Sequence, residues 1–119
     1  MSVEIHHQYF KSIADVLDDV KKHGTWPTTF VSGPSDGLPV HWHEDEVHAY
    51  IMEGETDFLD AASGKRSPVK AGDKVVVPPR TLHAEGAVTD RVVYIIALAA
   101  ARMSDEFLVM KEPEALEEA

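Results

Sequence analysis

Hydrophobic and polar positions change their period once along the chain. From Phe10 to Val20 the apolar residues Phe10, Ile13, Val16, Leu17 and Val20 return at the three- and four-residue steps of one helical face. Ser12, with Asp15 three residues on, makes a capping box. Lys21, Lys22 and His23 put positive charge in the last turn, and Gly24 suits the position after the C-cap. The pattern predicts a short amphipathic helix ending near Gly24, packed on the rest of the fold or on a neighbouring subunit.

After Trp26-Pro27 the runs become short and β-prone: Thr28 to Val31, Val40 to His43, Val47 to Met52, Thr56 to Leu59, Lys74 to Val77, Thr81 to Ala84 and Arg91 to Leu98. Turn residues separate them at Gly33 to Gly37, Glu53-Gly54-Glu55, Ser63-Gly64 and Ala71-Gly72-Asp73. Roughly seven or eight strands without intervening helices predict a mainly β sandwich or barrel. At 119 residues the chain has the length of one domain, 1–119, with its core at about 26–100. A short C-terminal helix is expected through Asp105 to Lys111, ahead of Pro113.

Charge and composition narrow the chemistry. Twenty-one acidic against 11 basic residues give a net charge of −10, which repels phosphate backbones and anionic lipids, so no nucleic-acid partner is expected. No apolar run approaches the ~20 residues that span a bilayer, so no membrane insertion is expected. The start MSVEIHHQYF lacks a basic segment followed by an apolar one, so a cytoplasmic protein is expected. With no cysteine, any metal site must use His, Asp or Glu, and seven histidines are available.

His41-Trp42-His43 sets two imidazoles on one face of a strand, with Trp42 facing away toward a subunit interface or the second face of the sheet. The stretch from His41 to Glu55, with Gly54 in the hairpin, is similar to the first motif of the cupin superfamily: H-x-H, three or four residues, Glu, six residues, Gly. Gly72 to His83, through Pro78-Pro79-Arg80, resembles the second: Gly, five residues, Pro-x-Gly, two residues, His. Two positions depart from these patterns. Arg80 stands where Gly is usual, and Val47, seven residues before Gly54, stands where a ligating Glu is usual.

The resemblance implies a cupin double-stranded β-helix, or jelly-roll barrel, that holds one divalent metal ion (Fe, Mn, Ni, Cu or Zn) through His41, His43 and His83. Three readings of a fourth ligand stay open. A three-histidine site ranks first, because strand parity counted back from Gly54 is hard to alter. A bulge would instead turn His48 or Glu46 inward as the fourth ligand. Glu85, two residues after His83 and on its face, is a candidate general base, supporting partner or ligand. Tyr50, Met52 and Phe58 read as packing residues, and His6, His7 and His23 as solvated ones.

Facial ligands leave positions open for substrate or water, as in catalytic metal sites. The cupin resemblance then implies a metal-dependent enzyme, a dioxygenase or isomerase, acting on a small organic molecule. The alternative is a non-catalytic small-ligand-binding or sensing cupin. A homodimer is expected because open barrels of this size hide edge strands by pairing, here through the N-terminal helix or Trp26 to Phe30.

Overall fold

Alternating side chains along the strands build two facing sheets in the computed structural model, which describes residues 2–118. In chain order the elements are β1 (Glu4–His6), α1 (Ile13–His23), β2 (Trp26–Ser32), β3 (Val47–Glu53), β4 (Glu55–Asp60), β5 (Lys65–Lys70), β6 (Lys74–Val77), β7 (His83–Glu85), β8 (Val92–Leu98) and α2 (Pro113–Glu118). One sheet runs β1-β6-β3-β8-β2 and the other β5-β4-β7, with every pairing antiparallel. None of the described helices is long and apolar enough to cross a membrane.

Strand β3 shows how the layers form. Val47, Ala49 and Ile51 point between the sheets, where they join Phe58, Val75, Val77, Tyr94 and Ile96 in the main core. His48 and Tyr50 point the other way, where α1 lies over Tyr50, Ile95 and Ala97 with Phe10, Val16 and Val20. The helix begins and ends as its sequence predicts. The Asp15 N–H donates to Ser12 Oγ at 3.3 Å, Ser12 N–H donates to Asp15 Oδ2 at 3.2 Å, and Gly24 is left-handed with φ of 66°.

Other expectations need correction. Strands β1 and β5 lie outside the sequence-predicted set; β5 reads KRSPVK, and its charge and Pro68 suit a guarded edge rather than a core strand. Val40 to His43 forms no continuous strand, only bridges from His41 to His83 and from Trp42 to Lys111. No helix runs from Asp105 to Lys111. Residues 104–108 are turns, Leu108 has a positive φ of 51°, and the helix starts at Pro113, whose missing N–H costs nothing there.

The same segment explains Trp42. Its ring is 1 % exposed and covered by its own chain, not by a subunit interface: Nε1–H donates to the Glu112 carbonyl at 2.9 Å, and the Trp42 and Lys111 backbones exchange bonds at 2.9 and 3.1 Å.

The two motif positions in tight turns also have physical explanations. Gly54 has φ of 87°, and a Cβ there would lie 2.2 Å from the Arg91 carbonyl oxygen. Arg80 occupies left-handed backbone at φ of 59°, conformation that glycine adopts without strain, while its N–H donates to the His43 carbonyl at 2.9 Å.

Candidate metal centre

His41 and His83, far apart in sequence, are locked side by side by backbone bonds, N–H to carbonyl, of 2.9 and 3.0 Å. His43 follows on the same face. Ring centroids lie 4.5 Å apart for His41–His83, 5.0 Å for His41–His43 and 5.2 Å for His43–His83. All three imidazoles are buried. Each is oriented by a backbone carbonyl that accepts its Nδ1–H: Pro39 at 2.7 Å, Val109 at 2.8 Å and Thr81 at 2.8 Å. A proton on Nδ1 leaves Nε2 as the lone-pair nitrogen, so the backbone selects the metal-ligating tautomer of all three.

Glu85 completes the cluster. Oε2 lies 3.2 Å from His41 Nε2 and Oε1 lies 3.5 Å from His83 Nε2. One potential ligand atom from each of His41, His43, His83 and Glu85 falls within 4.8 Å of the others. His41 Nε2 and Glu85 Oε2 are buried, and with the His41 proton on Nδ1 neither has a hydrogen-bond donor. Unpaired buried polar atoms are costly, and here two of them are acceptors aimed at a common point. That arrangement fits a cation.

Burial pushes the Glu85 carboxyl up, but His41 and His83 beside it more than reverse this and hold it well below the usual carboxylate range. Burial lowers His41, yet the Glu85 carboxylate and the Pro39 carbonyl leave it raised overall. His43, which makes no contact with Glu85, is lowered by burial, with His83 and His41 adding to the effect. The carboxylate is thus ionised at neutral pH, as a ligand must be.

These groups lie in the wall of a cavity of about 320 Å³. Its remaining walls are mainly apolar, including Leu38, Val47, Phe58, Ile96, Phe107 and Met110. Tyr94 also lines it, its phenol held above the ordinary range by burial and by the Glu85 charge. The volume lies at the lower end of the about 300–1,000 Å³ usual for small-molecule sites.

Two of the expected fourth ligands do not reach this cluster. β3 carries no bulge at its start, pairing in register from Val47 with Val77 and Leu98, so Val47 faces the cavity and His48 the outer side. Glu46 turns with it, its Oε2 3.1 Å from His48 Nε2. His23, expected to be solvated, packs its ring 5.0 Å from that of His48. His7 meets Asp73 at 3.1 Å yet stays exposed, as expected, while His6 is only half-exposed beside Glu4 and the Tyr9 ring. Sequence reasoning missed the segment after β8, which supplies Phe107 and Met110 to the cavity and the Val109 carbonyl to His43; the four consecutive apolar residues Phe107, Leu108, Val109 and Met110 were its signal.

The family model described as "Cupin domain" matches residues 29–98. No curated protein matches the chain in sequence. Among solved structures, a DUF861 family protein from Thermotoga maritima is similar over 81 % of this chain and 98 % of its own, at 21 % identity and a TM-score of 0.57. The polyketide cyclase RemF from Streptomyces resistomycificus is 20 % identical over 69 % of this chain and 63 % of its own, with a TM-score of 0.54. The DMSP lyase DddQ from Ruegeria pomeroyi is 18 % identical over 69 % of this chain and 41 % of its own, with a TM-score of 0.57. With both histidine motifs, the matched model and the two-sheet barrel in agreement, the chain belongs to the cupin family.

Proposed function

We propose that this protein is a single-domain cupin metalloenzyme, a dioxygenase or isomerase, acting on a small, largely apolar organic molecule that presents an oxygen atom to the metal. One divalent ion (Fe, Mn, Ni, Cu or Zn) is held by His41, His43, His83 and Glu85. The observation that carries this reading is the convergence of three Nε2 lone pairs, each fixed by a backbone carbonyl, with an ionised carboxylate in the wall of an apolar cavity. Glu85 thereby takes the part that Val47 cannot.

A divalent ion in that position supplies a Lewis acid and, for the redox-active metals, reactivity toward dioxygen. Phe58, Ile96, Phe107 and Met110 exclude water around the substrate, which strengthens every electrostatic contact inside. One carboxylate against a doubly charged ion leaves a net positive centre that favours an anionic or enolisable substrate. Fold relatives named as a cyclase and a lyase are consistent with small-molecule chemistry, by analogy of fold alone.

The test uses chain purified without a histidine tag. After anaerobic loading with Fe(II), metal analysis is expected to give about one ion per inner site, and oxygen uptake or proton exchange is expected with some of a panel of diketones, hydroxylated aromatics and thiols. A chain that retains no metal overturns the reading. Stoichiometric metal with ligand binding but no turnover would favour a non-catalytic binding cupin.

The same proposal includes a homodimer paired through β2. That strand lies at the edge of its sheet, carries no charged residue and exposes Trp26, Phe30 and Val31, whereas the edge strand β5 is guarded by Lys65, Arg66 and Lys70. Light scattering at micromolar concentration is expected to give twice the chain mass; a monomer refutes it.

A further inference from the structure

We propose that the outer face of β3 carries a second cation site, separate from the cavity, in which Asp19 and His23 of α1 and His48 of β3 bind a divalent transition metal such as zinc. One potential ligand atom from each lies within 4.8 Å of the others. Asp19 and His23 are one helical turn apart, so their side chains stand side by side, with Asp19 Oδ1 3.4 Å from His23 Nε2. His48 faces them from the sheet, its ring edge-on to that of His23.

The independent observation is the state of His48. It is only 4 % exposed, and its Nε2 points to Glu46 Oε2 at 3.1 Å. With that proton given to the carboxylate, Nδ1 becomes the lone-pair nitrogen, and it is buried without any hydrogen-bond partner. A carboxylate behind an imidazole whose other nitrogen is free is the usual second layer of a histidine metal ligand.

Asp19 retains a coordinating position. Its Oδ2 accepts from Tyr50 Oη at 2.6 Å and from Lys74 Nζ at 2.6 Å, while Oδ1 accepts only from Tyr9 Oη at 2.8 Å and keeps a second lone pair on the His23 side. Lys74 balances the Asp19 charge, and Glu46 returns one negative charge from behind His48. Two imidazoles and one oxygen suit zinc, copper or nickel better than calcium or magnesium. Entry is past the His23 side chain, which is 39 % exposed. Val47 and His48 alternate across the strand, so the sheet itself separates this site from the inner one.

Zinc titration of the untagged full chain by calorimetry tests the proposal without reference to activity. Wild type is expected to take up two ions per chain, His23→Ala one, and His41→Ala/His83→Ala one. Adding His23→Ala to the latter should abolish binding, and adding Glu46→Gln should weaken it about 10–100-fold. The site is refuted if His23→Ala leaves wild-type stoichiometry unchanged, or if a folded His41→Ala/His83→Ala chain binds no zinc. Because that second variant lacks the inner cluster, failure of the inner metal centre and failure of this one give different results.

Discussion

On the outer face of β3, Asp19, Lys74, Tyr9 and Tyr50 satisfy one another through bonds of 2.6–2.8 Å; on the inner face, His41, His43, His83 and Glu85 lie as close together and leave two buried acceptors unpaired. Asp19, Lys74 and Tyr50, like the three inner histidines, are buried between layers of the same fold, with Tyr9 at the exposed rim. The outer network joins α1 to the sheet, because Asp19 comes from the helix and Lys74 from β6. The inner cluster instead holds its imidazoles by backbone carbonyls, which keeps the geometry while freeing every Nε2. Polar groups that pair fully with each other serve stability, whereas groups held in place from behind with an atom left over, His48 beside the outer network included, are ready for a ligand.

The sharpest way to break this contrast is Asp19→Ala. It leaves the buried Lys74 ammonium, between the Tyr9 and Tyr50 rings, without its counter-charge and is expected to cost about 3–5 kcal/mol in urea unfolding. Metal uptake by the inner cluster should survive wherever the variant remains folded. A loss much below 1 kcal/mol would mean that the outer network does not staple the helix.

Acid should act on both faces in the metal-free chain. Asp19 and Glu85 are held well below the usual carboxylate range, each because its cationic and hydrogen-bonding neighbours outweigh burial. A depressed carboxyl contributes stability above its unfolded pKa and loses it as pH falls toward the folded one. His43 and His48, lowered mainly by burial, contribute stability above 6.5 that fades below it, while His41, raised by Glu85 despite burial, opposes that trend. The urea midpoint is therefore expected to drop modestly below pH 6.5 and steeply below about pH 4. A flat profile down to pH 3 would contradict these pairings.

Glu85→Gln addresses the inner cluster alone. Metal affinity should fall at least about 10–100-fold, about 1.4–2.7 kcal/mol, with little change in the helix–sheet network. Val47→Glu in the same chain is expected to recover much of the loss, since residue 47 faces the same cavity; failure of both would place the carboxylate outside the coordination set.

The smallest effect is expected at Arg80→Gly. Relief of a left-handed arginine should raise stability by about 1 kcal/mol while leaving metal affinity unchanged, as read from paired unfolding and metal titrations. A destabilised variant would show that the exposed contact from Arg80 to Glu44, 3.3 Å, matters more than the strain.

Helix α1 was legible down to its caps, and β6 at its bounds, because capping boxes, glycine stops and unbroken valine runs are local signals. His41, His43 and His83 were legible as a set through motif spacing. Glu85 was legible only as a residue on the right face. Its pairing with His41 depends on the bridge that joins β7 to the H-x-H segment, a contact between residues some forty positions apart. The turn segment before α2 was misread, since its conformation follows from Trp42 and the cavity rather than from its own propensities.

By itself, then, the sequence determined the helix through its period and caps, and its resemblance to the two cupin motifs pointed to the barrel and to His41, His43 and His83 as a set. Only the tertiary structure decided what lies against each face. It brought Glu85 to the histidines in place of Val47, turned His48 outward to meet His23 and Asp19, and folded the chain's own end over Trp42. Periodicity fixes direction within an element, but neighbours come from long-range packing, which no local pattern encodes.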